Sequence, residues 1–308
     1  MTSLTNHFSG IIPPLSTPLT ETHEIDTRSL EKLIEFQLAA GVQGLFMLGS
    51  TGEAVFLTDR QRAIVLDVAV RVVANHVPVL AGIIDMTTVR VLEHMRMAEM
   101  AGVDGLVVTA PFYTRIGQVE VVKHFRLVHD AAQLPLIAYD IPSAVHCKLE
   151  LTTILQLVHD NIIWGVKDSS GDEAGFRALL LAKERYPNFC AFTGSELLVD
   201  SALLAGANGA VPGLGNVDPA GYVRLYHATL AGDWSTARKE QERLYRLFAI
   251  VNVGLGRMAI GSSAMGAFKT ARQLRGVIAT NNVGRPLLRL NADEVEEVHR
   301  ALTEAQLL

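Results

Sequence analysis

The chain has 308 residues, of which 49% are hydrophobic and 19% are charged. This composition is typical of a compact globular enzyme and excludes a disordered or fibrous protein. The 32 acidic and 27 basic side chains give a net charge of −5, and the sequence contains no run of Lys and Arg that could follow a phosphate backbone. A nucleic-acid partner is therefore disfavoured.

Targeting signals and cysteine spacing indicate the cellular location of the protein. The first twenty residues lack the basic leader and apolar stretch of a signal peptide, and no run of about 18 apolar residues follows them. Cys147 and Cys190 have no zinc-site or CxxC spacing, so we expect two buried thiols without a disulfide or a metal site. These features predict a cytoplasmic protein with no membrane partner.

Along the chain, short β-rich runs alternate with longer amphipathic stretches, and the pattern occurs eight times. The predicted strands are 11–16, 44–48, 79–81, 105–109, 136–139, 162–167, 191–193 and 209–211. The helices predicted after them are 29–40, 59–73, 88–101, 118–131, 151–158, 175–185, 197–205 and 219–230. Thr58 is the expected N-cap of the second helix. In three units a glycine, at 41, 102 or 206, is expected to end the helix before the next strand.

Eight consecutive βα units predict a (β/α)8 TIM barrel, which we assign to residues 1–230. After residue 230 the strand signals stop, and the helices predicted at 234–253, 264–274 and 292–304 form a C-terminal helical extension at 231–308. An open, doubly wound sheet is the alternative. It is disfavoured because no G-x-G-x-x-G motif follows the first strand.

Polar residues at the ends of strands are the candidates for chemistry, because reactive groups in a (β/α)8 barrel lie there. Lys167 follows the apolar run 162–166, where desolvation favours a neutral amine able to attack a carbonyl. Pairing with a carboxylate at the strand end is the alternative. Tyr139, which precedes Asp140, is able to carry a proton, although a packing role is also open.

The turn Gly49-Ser50-Thr51-Gly52-Glu53 offers two hydroxyls and several backbone N–H groups, a combination that suits a small carboxylate. A glycine loop that only opens the next helix is the alternative. The remaining polar or small residues at strand ends are Thr109, Tyr113, Gly194 and Glu196.

Three motifs in order, GSTGE at 49–53, YDIP at 139–142 and GVKDSSGD at 165–172, resemble the dihydrodipicolinate synthase and N-acetylneuraminate lyase family. The resemblance continues through AGANGAVPGLGNV at 205–217 and into the helical tail. It implies a class I aldolase that binds a small keto acid, pyruvate, as a covalent Schiff base on Lys167. No metal or organic cofactor is implied.

The same resemblance implies roles for the other site residues. Tyr139 would be the proton shuttle, and Ser50 would link it to a second tyrosine, Tyr113, which in relatives reaches across a dimer interface. Ser50 and Thr51 would hold the pyruvate carboxylate. The other expected substrate-binding positions are Gly49, Gly194, Glu196 and Val211. The implied assembly is a homotetramer built from dimers.

The resemblance leaves the aldehyde partner open. Dihydrodipicolinate synthases carry an Arg two residues after the proline of the second motif, where this chain has Ala144, and the lost guanidinium disfavours aspartate semialdehyde. Ser50, where synthases commonly have Thr, is typical of sialic acid lyases and 2-keto-3-deoxy sugar acid aldolases. Leu197 and Gly213, however, depart from the sialic acid lyase pattern.

We therefore expect reversible cleavage of a 2-keto-3-deoxy sugar acid, N-acetylneuraminate-like or 2-keto-3-deoxygluconate-like, to pyruvate and an aldehyde. The first alternative is 4-hydroxy-tetrahydrodipicolinate synthase, which condenses pyruvate with aspartate semialdehyde. The alternative of another class is a non-catalytic keto-acid or sugar-acid binding protein. A dehydratase outcome also stays open within the family.

Overall fold

The computed structural model describes residues 8–308, in which eight strands form one parallel sheet. The strands are β1 Gly10–Ile11, β2 Leu45–Met47, β3 Val79–Gly82, β4 Gly105–Thr109, β5 Leu136–Asp140, β6 Gly165–Asp168, β7 Cys190–Thr193 and β8 Gly209–Ala210. They pair in the order β1, β8, β7, β6, β5, β4, β3, β2. A parallel bridge between Pro14 and Phe46 then joins the two ends of this sheet and closes the barrel. The predicted (β/α)8 fold is confirmed.

Helices surround this barrel and continue beyond it. They are α1 Thr27–Ala39, α2 Asp59–Val73, α3 Thr88–Ala101, α4 Gln118–Ala131, α5 Pro142–Val145, α6 Leu151–His159, α7 Glu173–Lys183, α8 Val199–Leu204 and α9 Pro219–Leu230. The C-terminal helices are α10 Trp234–Phe248, α11 Ile260–Leu274 and α12 Ala292–Glu304. Thr58 is the N-cap of α2, as predicted, and it also forms a capping box with Gln61. The predicted glycines 41, 102 and 206 all have positive φ, a backbone conformation that is strained for residues with a side chain.

Alternation along the strands decides which side chains reach the barrel interior. Phe46, Tyr139 and Phe192 belong to the inner apolar cluster, whereas Ala138 and Val166 belong to the larger cluster between strands and helices. The residue after Tyr139 therefore points away from the interior.

Several predicted boundaries differ from the structure. The first strand was predicted at 11–16 but ends at Ile11, because Pro13 and Pro14 have no N–H group to extend the ladder. The helix predicted at 234–253 ends at Phe248 and continues as a 3-10 turn, Ala249–Asn252. The division of the chain at residue 230 stays a prediction, and residues 1–7 of that predicted unit lie outside the described residues.

Two further expectations concern the cysteines and the membrane. Cys147 and Cys190 are both free and buried, as predicted. Within residues 8–308, no helix has the length and apolar character needed to cross a membrane.

Candidate active site

Lys167 lies at the C-terminal end of β6, and only 5% of it is exposed. Its Nζ lies 4.0 Å from the ring centroid of Tyr139 and 5.1 Å from that of Phe46. Across residues 8–308, no carboxylate oxygen lies within 4.0 Å of this nitrogen, so the alternative of a strand-end ion pair is not realised. In the part of the chain that the structure describes, the amine is held beside aromatic rings and away from any counter-ion, which leaves it available as a nucleophile.

Tyr139 is the direct neighbour of Lys167 in the sheet. The two residues are register partners across β5 and β6, and Tyr139 is 3% exposed. The ring of Phe46 packs edge-on against it, with ring centroids 6.2 Å apart. Strand register and aromatic packing therefore fix the phenol beside the amine.

The GSTGE turn follows β2 and has an unusual backbone. Leu48 before it and Glu53 at its end both have positive φ, 57° and 59°. A Cβ on Gly49 would come 2.7 Å from the Phe46 ring, so only glycine fits there. In the described part of the chain, the amides of Ser50 and Thr51 donate to no backbone acceptor. They are free to bind a small anion.

Glu53 ties this turn to the C-terminal helices. Its carboxylate forms an ion pair with Lys269 of α11 and accepts a hydrogen bond from the backbone amide of Gly284. Both charged side chains are 0% exposed. Lys269 could not be assigned to the site from the sequence, because its segment has the pattern of an ordinary amphipathic helix.

A cavity of about 340 Å³ opens where β2, β5, β6, β7 and β8 end. Seven of the predicted site residues line it: Ser50, Thr51, Tyr139, Lys167, Gly194, Glu196 and Val211. The other lining residues, which sequence reasoning did not assign to the site, are Pro14, Ile141, Ser143, Ser169, Gly171, Ser195 and Gly213. Three of these are serines, so the rim of the cavity is rich in hydroxyl groups.

A second cavity of about 240 Å³ adjoins the first and shares Ser50 and Ile141 with it. Its other lining residues are Gly49, Ala54, Val55, Phe56, Ile84, Thr109, Phe112, Ala144, Val145 and Met265. The walls are apolar except for two hydroxyls, and Thr109 Oγ1 is buried without a hydrogen-bond partner among the described residues. Predicted Gly49 thus lies beside the main cavity, where it shapes the turn.

Tyr113 is the one predicted site residue that the structure does not bring to the site of its own chain. Its side chain is 91% exposed, its φ is 79°, and it lines neither cavity. Its expected role in a second copy of the chain stays a prediction.

Glu196 lines the cavity with a carboxylate that is already engaged. Its Oε1 accepts a hydrogen bond of 2.8 Å from the Gly213 amide, and Gln241 donates to its backbone oxygen at 2.9 Å. Burial raises the pKa of the Glu196 carboxyl, while the Gly213 amide and Lys167 lower it. A carboxylate held in place in this way is a better hydrogen-bond acceptor for a substrate hydroxyl than a mobile carboxylate would be.

A (β/α)8 barrel with a buried, unpaired lysine beside a tyrosine at its C-terminal end defines a class of enzymes that act on carbonyl compounds through a lysine Schiff base. The sequence profile of the Dihydrodipicolinate synthetase family matches residues 7–305. The chain belongs to this family, whose members are pyruvate-dependent class I lyases and aldolases that need no metal or other cofactor. It is therefore an enzyme rather than a binding protein.

Individual relatives agree with this. A 4-hydroxy-tetrahydrodipicolinate synthase from Exiguobacterium sibiricum is 35% identical over 249 residues, covering 80% of this chain and 84% of that protein. An uncharacterized DapA-like lyase from Halobacterium salinarum is 33% identical over 298 residues, covering 97% and 92% of the two chains. The crystal structure of YagE, a prophage protein of the family from E. coli K12 in complex with pyruvate, is similar with a TM-score of 0.92. That match has 28% identity and covers 98% of this chain and 99% of the other.

Proposed function

We propose that this enzyme reversibly cleaves a 2-keto-3-deoxy sugar acid to pyruvate and an aldehyde. The observation that carries the proposal is the lining of the two joined cavities. Within the described residues, Lys167 and Glu196 are the only charged side chains in that lining, and no guanidinium is present to bind a second carboxylate. Hydroxyl groups dominate the rim, which suits a polyhydroxylated aldehyde.

Lys167 is the proposed nucleophile. Its amine attacks the ketone carbon C2 of the sugar acid, and loss of water gives an imine on Nζ. The amides and hydroxyls of Ser50 and Thr51 hold the adjacent carboxylate, which orients C2 toward the amine. Gly49 permits the close packing of the turn against Phe46, and Gly194 and Val211 also line the cavity.

Tyr139 is the proposed proton carrier. It takes the proton of the C4 hydroxyl as the C3–C4 bond breaks and the aldehyde leaves. Ser50, which lines the same cavity, is the proposed link between Tyr139 and the rest of the relay. The electron pair of that bond moves to C3 and is shared with the imine nitrogen as an enamine. Return of a proton to C3 and addition of water then release pyruvate and restore Lys167.

We further propose that Tyr113 of a second copy of the chain completes this relay. The second cavity has the apolar walls that a tyrosine ring needs and ends at the hydroxyls of Ser50 and Thr109. The exposed position of Tyr113 is consistent with insertion into a neighbour. A homotetramer built from such dimers, in the cytoplasm, is the assembly we propose, and the two free thiols are typical of a reducing compartment.

The second candidate is 4-hydroxy-tetrahydrodipicolinate synthase, which the name of the Exiguobacterium relative favours. The two candidates differ in whether a second carboxylate must be bound near Ala144. A charge-assisted hydrogen bond to that group is worth about 1.5–3 kcal/mol, or roughly tenfold to a hundredfold in affinity.

The test is a comparison of substrates. Purified enzyme is assayed for pyruvate release from 2-keto-3-deoxygluconate and N-acetylneuraminate, and for consumption of pyruvate with aspartate semialdehyde. We expect release from a sugar acid, and we expect Ala144→Arg to improve use of aspartate semialdehyde. Consumption of aspartate semialdehyde by the unmodified enzyme, with no cleavage of any sugar acid, would reverse the ranking.

A further inference from the structure

Asp140 and Asp168 lie side by side where β5 and β6 end. They are register partners, one residue beyond the Tyr139 and Lys167 pair. Asp140 is 0% exposed and Asp168 is 7% exposed. Two carboxylates in this arrangement repel each other when both are ionised, and the low exposure leaves little water to screen them.

Lys148 lies between these carboxylates. Its ammonium donates a hydrogen bond to Asp140 Oδ2 and lies 4.0 Å from Asp168 Oδ2. The other oxygen of Asp140 accepts a hydrogen bond of 3.0 Å from the backbone amide of Leu149. Both oxygens of the buried carboxylate are thus satisfied by neighbouring residues of one loop.

That loop, residues 141–149, also forms part of both cavities. It begins with the short helix α5 and turns back at His146, whose φ is 54°. Ser143 lines the main cavity, and Ala144 and Val145 line the second one. The contacts of Lys148 therefore fix the loop to the strand ends that carry the reacting side chains.

We propose that Lys148 is a positioning residue: its charge cancels the repulsion between the two strand-end carboxylates and so holds Tyr139 and Lys167 in register. Lys148 itself lines neither cavity, so it acts through the sheet and the loop. This positioning role rests on the proposed function, because that function requires imine formation on Lys167.

The charges around Asp140 give this role a pH signature. Burial raises the pKa of Asp140, Lys148 lowers it, and Asp168 raises it. The Cys147 thiol also lies near Asp140, and its pKa is raised by burial and by the charges of Asp140 and Glu150. On the Asp168 side, the pKa of Glu173 is raised by burial and by the charges of Asp168 and Asp172. In a variant that lacks the Lys148 ammonium, Asp140 and Asp168 do not repel each other while Asp140 is protonated. They repel each other once Asp140 ionises, so the activity of such a variant should fall as the pH rises.

The test compares Lys148→Met, Lys148→Arg and the matched double variant Asp140→Asn/Lys148→Met. For each, kcat and KM for cleavage of the accepted sugar acid and the rate of borohydride-trapped pyruvate adduct formation are measured from about pH 6 to about pH 8. We expect Lys148→Met to lose about tenfold in kcat and trapping rate at the high end and little at the low end, with KM nearly unchanged. Lys148→Arg should stay within about threefold of the unmodified enzyme, because it keeps the charge.

The double variant provides the control, because it removes one carboxylate together with the ammonium. It should recover most of the lost rate and be independent of pH over this range. A Lys148→Met enzyme with the unmodified pH profile, or one that only melts earlier while kcat is unchanged, would overturn the positioning role. Absence of a pyruvate adduct on the unmodified enzyme would instead overturn the proposed function.

Discussion

Lys269 in α11 forms an ion pair with Glu53, the last residue of the GSTGE turn, and both side chains are fully buried. The Lys269 ammonium also donates to the backbone oxygen of Asn282 at 2.7 Å. Arg272, one turn further along α11, is buried as well and donates to Ser16 at 3.0 Å. The C-terminal helices thus hold the turn that is proposed to bind the substrate carboxylate.

Loss of this ion pair should be costly to stability. Lys269→Met leaves the Glu53 carboxylate buried without its counter-ion, and we expect a loss of about 3–5 kcal/mol in the free energy of unfolding. The double variant Glu53→Gln/Lys269→Met should lose much less, because no uncompensated charge remains. Chemical denaturation at one fixed protein concentration measures both. A single variant as stable as the unmodified protein would show that the pair contributes nothing.

Removal of the Tyr139 hydroxyl should slow cleavage without preventing formation of the pyruvate adduct. Tyr139→Phe keeps the ring that packs against Lys167 and removes the hydroxyl that carries the proton. We expect a pyruvate adduct on Lys167 to form still, while cleavage slows by roughly a hundredfold to ten-thousandfold. Adduct mass and steady-state rates measure the two effects, with Lys167→Ala, which should lose both, as the control. Cleavage within a few fold of normal would remove Tyr139 from the proton relay.

Tyr113 should act in a neighbouring subunit. Tyr113→Phe and Lys167→Ala should each be nearly inactive alone. In a mixed dimer, the site that keeps Lys167 would receive Tyr113 from the other chain, so random assembly should restore about a quarter of the normal activity. Coexpression of the two variants, followed by purification and assay, tests this. No restoration in verified mixed dimers would mean that Tyr113 does not act across the interface.

His124 should make stability sensitive to acid. It is 2% exposed, its Nδ1 lies 3.0 Å from Thr88 Oγ1, and burial lowers its pKa to about 4. Below about pH 6.5 the unfolded chain binds a proton that the folded chain does not bind until about pH 4, so stability falls as the pH falls.

The matched variant is His124→Asn, which removes this proton. Between pH 7 and about pH 4 its free energy of unfolding should fall by about 3 kcal/mol less than that of the unmodified protein. Denaturation curves across this range provide the measurement. The same pH dependence in both proteins would show that another group controls the acid response.

The barrel could be predicted from the sequence because it follows from periodicity. Strand-end position placed Lys167 and Tyr139 among several candidate residues, and the resemblance carried by three ordered motifs then implied their roles. Ser143, Ser169 and Ser195 could not be found in this way, because loop residues carry no periodic signal and only the fold brings them to one rim.

Ion pairs between residues that are distant in the sequence could not be predicted either. The contact of Lys148 with Asp140 depends on how the loop after β5 turns back at His146, which no local pattern specifies. The pairing of Lys269 with Glu53 joins segments from the two ends of the chain. The outward direction of Asp140, in contrast, follows from strand alternation once the neighbouring tyrosine is placed inside the barrel.

Every step of the proposed reaction depends on a Schiff base between Lys167 and pyruvate. The most direct measurement is the intact mass of the protein after incubation with excess pyruvate and borohydride, followed by peptide mapping. We expect a single pyruvyl-sized gain that is located on Lys167 and absent from Lys167→Ala. Folded protein that gains no mass, or gains it on a different lysine, would contradict this mechanism.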